Sequence, residues 1–256
     1  MNVTLNGYVV ADEDRWLYDW FDISAFSPNT VRQALRENPE GEDLILEINS
    51  GGGSVFAGFE MYSVLRGSKC RTVAHVQSLA GSAASTVMEG CTQVWLSPVA
   101  QVMIHLPSSS VSGNQNDFKH EARVLDSITQ SILNAYELRS NGKATRERLE
   151  KLMRAESWLT AQEAVELGLA DGILFQDTVS AGTFPESIVN AVGSGIRSLA
   201  CNAGPVTTAS LRARYEQLVK DGAKPAEGHP AAVAPKPSND DWQRKARLAI
   251  ENNRFL

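Results

Sequence analysis

The chain has 256 residues, 43% of them hydrophobic and 21% charged, with a formal net charge of −6. That is enough apolar material for one filled domain of roughly 150–200 residues plus an appendage, and it excludes a disordered or fibrous chain. No run approaches the ~20 apolar residues that cross a bilayer, and the start, Met1-Asn2-Val3-Thr4-Leu5, lacks a secretory signal pattern, so a cytoplasmic protein is expected.

A first strand is expected over Val3–Val10. Ser27-Pro28 then opens a helix, Ser as N-cap and Pro at the first helical position, with Val31 and Leu35 on its apolar face. Leu44-Ile45-Leu46-Glu47-Ile48 reads as a buried strand stopping at the turn Asn49-Ser50-Gly51-Gly52-Gly53. Val55, Phe59, Tyr62 and Leu65 recur at helical spacing behind it. Val73-Ala74-His75-Val76 is a second strand, followed by the small-residue turn Leu79-Ala80-Gly81-Ser82 and a short helix from Ala83 to Glu89 with Gly90 as its C-cap. Val94-Trp95-Leu96 and Val102-Met103-Ile104 follow as short strands across a Ser97-Pro98 turn. This alternation argues for an α/β domain with a mainly parallel sheet.

Phe118, Ala122, Leu125, Thr129, Ile132 and Tyr136 step at helical intervals, so a long amphipathic helix runs here and closes at Asn141-Gly142. Thr160-Ala161-Gln162-Glu163 is a capping box whose helix ends at Gly168. The organisation expected is a domain over residues 1–195, a connecting helical segment over 196–220, a Pro/Ala-rich linker over 221–238 and a short basic helix over 239–256. Residues 196–256 hold ten Lys/Arg against six Asp/Glu, a balance of +4 that leaves −10 on residues 1–195. Cys70, Cys91 and Cys201 are odd in number and widely spaced, which indicates neither a disulfide framework nor a zinc site.

Amide hydrolysis needs a nucleophile, a base and donors for the developing oxyanion. Ser85 lies in Gly81-Ser82-Ala83-Ala84-Ser85-Thr86, at the start of a helix hemmed in by small residues. On its own this stretch reads as a helix cap, and it is not the G-x-S-x-G elbow of α/β-hydrolases. His105 ends an apolar strand before Leu106-Pro107, where active-site groups collect in parallel sheets. His75 reads as a packed mid-strand residue, His120 lies on the polar side of the long helix and His229 in the linker. The Gly51-Gly52-Gly53 turn is half of an oxyanion hole, a plain tight turn or a phosphate cradle. No Gly-Lys-Ser/Thr follows it, which argues against nucleotide.

Together these segments resemble the proteolytic subunit of the Clp protease, and more closely its phage relatives, the Clp-type head maturation proteases. The similarity rests on Ile48 to Gly58, Gly81 to Ser85, Val102 to Pro107 and Glu156 to Asp171, in that order. It implies a ClpP/crotonase-like fold of repeated strand–strand–helix units and a serine endopeptidase mechanism. By the resemblance Ser85 is the nucleophile, His105 the base and then the acid, and Gly52 and Thr86 supply the oxyanion N–H groups. Glu156 stands where the bacterial enzyme has aspartate, with Asp171 as the runner-up for the third member. No cofactor or metal, no nucleic acid and no membrane is implied. The partners implied are a homo-oligomeric ring, built through the Phe118–Tyr136 stripe, and a capsid or scaffold protein cut inside the host cytoplasm or the phage procapsid.

The chain starts almost directly with its first strand, so dependence on an ATPase unfoldase is not expected. The basic tail is expected to tether the protein in a procapsid or to be trimmed. The alternatives are the proteolytic subunit of an ATP-dependent Clp protease, a crotonase-like acyl-CoA enzyme, and a non-catalytic assembly scaffold.

Overall fold

The computed structural model describes residues 1–175 and 206–223. The expected linker beyond residue 223, the terminal helix, Cys201 and His229 lie outside them.

A mainly parallel sheet organises the body. Its strands are β1 (Asn2–Val9), β2 (Ala25–Phe26), β3 (Leu44–Gly53), β4 (Thr72–Gly81), β5 (Gln93–Leu96), β6 (Gln101–Ile104), β7 (Ser157–Thr160) and β8 (Gly172–Ile173). They run in the order β2-β1-β3-β4-β5-β8, with β6 on β4 and β7 antiparallel to β6. β4 forks the sheet. Val73–Val76 pair with β5, whereas Leu79–Gly81 pair with β6. The fork brings the end of β6, and His105 after it, beside the turn that leaves β4.

The helices are α1 (Arg15–Trp20), α2 (Pro28–Glu37), α3 (Val55–Arg66), α4 (Ala83–Glu89), α5 (Gln115–Ser140), α6 (Arg146–Arg154), α7 (Ala161–Glu166) and α8 (Thr208–Lys220). The starts and stops follow local chemistry. Ser27 with Thr30 and Thr160 with Glu163 form capping boxes, and Asn141 and Gly168 take the left-handed conformation that ends a helix. Gly90 ends α4 in right-handed geometry, and glycine is required there for space. A Cβ would stand 2.8 Å from the Tyr62 carbonyl oxygen of α3.

Burial alternates along β3. Leu44, Leu46 and Ile48 are fully buried, while Ile45 and Glu47 between them are half-buried. The run expected to be wholly buried thus covers the core with one face only. His75 follows the same pattern: it is half-buried beside Glu47 on the neighbouring strand rather than packed in the core. α5 is divided along its length. Thr129, Ile132 and Tyr136 are buried against the body, whereas Phe118 and Ala122 are exposed.

A second apolar cluster joins the chain's two described ends. Leu17 and Tyr18 of α1 pack with Leu211 and Tyr215 of α8. The Tyr18 hydroxyl lies 3.0 Å from Thr208 Oγ1, and Arg212 pairs with the buried Asp14. Among the described residues no helix is long and apolar enough to cross a membrane.

Candidate active site

β4 ends at Gly81 and α4 begins at Ala83, so Ser82 makes the whole turn between strand and helix. Its backbone sits at φ 52°, ψ −124°, a conformation that costs an L-residue on the order of 1–3 kcal/mol. Its N–H is held by the Met103 carbonyl of β6 at 2.8 Å. Small residues make the turn possible. A Cβ on Gly81 would lie 3.2 Å from the Gly51 carbonyl oxygen, and one on Gly52 2.7 Å from both the Gly81 oxygen and Ser82 Cβ.

His105 leaves β6 directly after Ile104, and its Nε2 lies 2.7 Å from Ser82 Oγ. With Nε2 unprotonated, the serine hydroxyl donates to it. Burial lowers the pKa of His105, with the Glu156 carboxylate acting in the opposite sense. The burial effect is the larger, so the ring is neutral near pH 7 and able to take a proton. Ser82 and His105 are both part-exposed, at the edge of a cleft with about 290 Å³ of empty volume that opens to solvent and is otherwise lined by Val55, Phe59, Ala83, Thr86, Pro107, Ile132 and Tyr136.

The structure does not bring Ser85 to His105. Ser85 is fully buried inside α4. Its hydroxyl donates to the Ser82 carbonyl at 2.5 Å and lies 2.6 Å from the Tyr136 hydroxyl. A residue one turn into a packed helix points into the body, whereas the strand–helix turn presents its side chain to the cleft. In sequence Ser82 reads as a turn residue, and its contact with His105 depends on the pairing of β6 with β4.

The two expected oxyanion N–H groups, those of Thr86 and Gly52, both have partners in this structure. An α-helical N–H bonds the carbonyl four residues back, so the Thr86 N–H is directed at Ser82 O and away from the cleft. The Gly52 N–H is also engaged, by Ser50 Oγ at 3.1 Å. Ala83 carries the N–H directly after Ser82, a first-turn group that the helix itself cannot satisfy. It sits 3.0 Å from where a Gly52 Cβ would be, so the glycine keeps the space before it open.

Glu156 is exposed, at φ 50°. The β6–β7 register pairs Ile104 with Ser157, and continuing it by one residue sets His105 opposite Glu156. Trp158, two residues on, is 38% exposed. Asp171 is elsewhere: it accepts the Val94 N–H at 2.7 Å and pairs with Arg139. Arg139 also reaches the buried Glu89, 3.4 Å away, so Asp171 serves the packing of α5 on β5. Cys70 and Cys91 are free thiols, and burial pushes Cys91 up to about 12, which makes it unreactive. His120 is exposed on α5, away from this cleft.

A serine on a strand–helix turn, hydrogen-bonded to a histidine whose pKa burial lowers, is an arrangement able to carry acyl transfer. The Clp protease family model matches residues 29–177. An ATP-dependent Clp protease proteolytic subunit 1 from Chlamydia muridarum is 34% identical over 176 residues, 63% of this chain and 90% of that protein. The ATP-dependent Clp protease proteolytic subunit of Porphyromonas gingivalis is 29% identical, over 63% of this chain and 74% of its own. A proteolytic subunit 2 from Corynebacterium glutamicum is 31% identical, over 52% and 66% respectively. The chain belongs to the Clp protease family, and its α/β architecture of a mostly parallel sheet with helices agrees with that fold.

Proposed function

We propose that the protein is a serine endopeptidase in which Ser82 is the nucleophile, His105 the general base and then acid, and Glu156 the carboxylate that supports the imidazolium. The observation that carries this reading is the 2.7 Å contact between Ser82 Oγ and His105 Nε2 on a strained strand–helix turn. Ser82 Oγ attacks the peptide carbonyl while its proton passes to His105 Nε2. The tetrahedral oxyanion takes the Ala83 N–H. The C–N bond breaks as His105 returns the proton to the leaving amine, and water, deprotonated by the same nitrogen, releases the acyl group from Ser82.

The test is covalent labelling with a fluorophosphonate, read by peptide mapping. The adduct is expected on Ser82 in the wild type and in Ser85→Ala, and is lost in Ser82→Ala. An adduct on Ser85 would return the nucleophile to the position that the sequence resemblance assigned.

For the substrate, the finer reading is a capsid or scaffold protein cut during phage head maturation by a homo-oligomeric ring working without an ATPase. The resemblance of the sequence blocks to head maturation proteases, with glutamate at position 156, supports it. The exposed Phe118 end of α5 supports self-association. The relatives found are named ATP-dependent subunits, and they favour the second reading, a proteolytic subunit served by an ATPase. Co-expression with the neighbouring capsid gene, wild type against Ser82→Ala, separates the two. New Ser82-dependent capsid termini without an added ATPase support the first. Cleavage of folded protein only when a Clp ATPase is supplied supports the second.

A further inference from the structure

α1 and α8 both lie outside residues 29–177, the part of the chain that matches the family, yet they are built to meet. Leu211 and Tyr215 of α8 close an apolar cluster over Val10, Leu17, Tyr18 and Ala25. The Tyr215 ring stands edge-on to both Trp16 and Trp20, with centroids 5.1 Å apart in each case. Arg212 places its guanidinium 2.5 Å from Oδ1 of the buried Asp14, and the Arg214 guanidinium lies 5.5 Å from the centre of the Phe21 ring. A carboxylate taken out of water is costly without a cation beside it. α8 therefore brings counter-charge as well as apolar cover.

What α8 covers leads directly to the cleft. Val10 follows the last residue of β1, and Val9 pairs with Gly53 of β3. The Val9 carbonyl accepts the Ser54 N–H at 2.7 Å. The strands are in close contact there, because a Cβ on Gly53 would stand 2.0 Å from the same oxygen. Ser54 is the N-cap of α3, and Val55 and Phe59 in the first two turns of α3 form one wall of the cleft beside His105. A second link runs over the surface. Asp12 accepts the Asn29 N–H at 2.8 Å and pairs with Arg32, which also pairs with Glu60 of α3. Solvent-exposed ion pairs are weak, so the backbone link through Val9 carries most of the coupling.

We propose that α8 is a positioning strap for the cleft. By covering Val10 and pairing with Asp14 it fixes the segment that leaves β1, and through the Val9–Ser54 bond it fixes the start of α3 with Val55 and Phe59. The proposal rests on the cleft beside His105 being the place where the peptide binds. Undocking α8 frees this wall to move. Contacts with the wall are made alike by substrate and transition state, so their loss falls on KM and not on kcat.

The experiment uses the full chain with Leu211→Ala, Leu211→Met and Phe59→Ala. The readouts are amide hydrogen exchange, and kcat and KM on a fluorogenic peptide with an apolar residue before the scissile bond. In Leu211→Ala, exchange is expected to quicken across Thr208–Lys220 and also across Ser54–Phe59. KM should rise about three- to tenfold, with kcat changed by less than about twofold. Leu211→Met keeps the volume and should hold both readouts near wild type. Fast exchange in α8 with Ser54–Phe59 still protected and KM unchanged overturns the strap, because α8 is then only appended. If Leu211→Ala does not fold, Arg212→Gln, whose side chain is half exposed, decides by the same readouts. Phe59→Ala keeps the two readings apart. A KM that it leaves unmoved puts the peptide elsewhere and overturns the reading of the cleft, whereas a KM raised by Phe59→Ala but not by Leu211→Ala overturns the strap alone.

Discussion

Gly52→Ala puts one methyl group into the narrowest gap of the site. Gly52 has φ 103°, and its Cβ would stand 2.7 Å from the Gly81 oxygen, 2.7 Å from Ser82 Cβ and 3.0 Å from the Ala83 N. Ordinary contact begins near 3.4 Å, and two of these atoms are backbone, the Gly81 oxygen at the paired end of β4 and the Ala83 nitrogen at the start of α4. Ser82 and the start of α4 must therefore shift by roughly 0.5–1 Å, and a 1 Å misplacement of reacting groups costs about 10²-fold in rate. The positive φ adds about 1–2 kcal/mol of backbone strain. A loss of kcat/KM of roughly 10²-fold is expected, with a fall in thermal stability. Gly41→Ala isolates the backbone contribution, because Gly41 has φ 82° and nothing within 4 Å. It should lose about 1–2 kcal/mol and keep full activity. The assays are turnover of a fluorogenic peptide and equilibrium unfolding of both variants. Equal activities for the two would sink the argument, because the clash with Ser82 would then have no catalytic effect.

Other positions give separate checks. Glu156→Gln removes the charge that raises the His105 pKa. The acid limb of the kcat/KM profile, where activity falls as His105 gains a proton, should move to lower pH, and kcat should drop by about 10²–10⁴-fold. Glu89 is fully buried, and burial raises its pKa well above 4.5, with Arg139 opposing and Asp171 adding to the rise. A raised folded-state pKa stabilises below the unfolded value and loses that stability as pH rises through the folded one. Wild type should therefore lose stability relative to Glu89→Gln as pH increases above about 4.5 in denaturant titrations. Tyr18→Phe removes the buried bond to Thr208. It should weaken the docking of α8 by about 0.5–1.5 kcal/mol, seen as faster amide exchange across Thr208–Lys220.

Much of the fold was legible because it rests on local rules. Ser27-Pro28, Thr160 with Glu163, and Gly168 act within a few residues of themselves, and the helices begin and end there. The long helix was also legible from its spacing, but the fate of its stripe was not. Phe118 and Tyr136 fit the same apolar periodicity, yet one is 52% exposed and the other buried, because only the second half of α5 crosses the body. The fork of β4 was out of reach for a different reason. Leu79–Gly81 reads as a turn in sequence but continues the strand of Val73–Val76, and which partner each half takes depends on β5 and β6, many residues later. The same non-locality hides the packing of Tyr18 on Thr208.

The serine run shows where sequence reading of the site runs out. Ser82 and Ser85 are three residues apart, the spacing at which two side chains share a helix face, so neither composition nor periodicity ranks them. What separates them is the backbone conformation of one residue, Ser82. If Ser82 were helical, both hydroxyls would point the same way and both would compete for His105. At φ 52° Ser82 lies outside the helix, its side chain turns to the cleft, and its carbonyl turns back along α4 to receive Ser85. The conformation is held from two sides: the Met103 carbonyl takes the Ser82 N–H, and the Ser85 hydroxyl meets the Ser82 carbonyl. The first of these bonds comes from β6, the strand that also delivers His105. The interaction that turns Ser82 outward and the one that supplies its base therefore arrive on the same element, and a change that displaced β6 would remove both together.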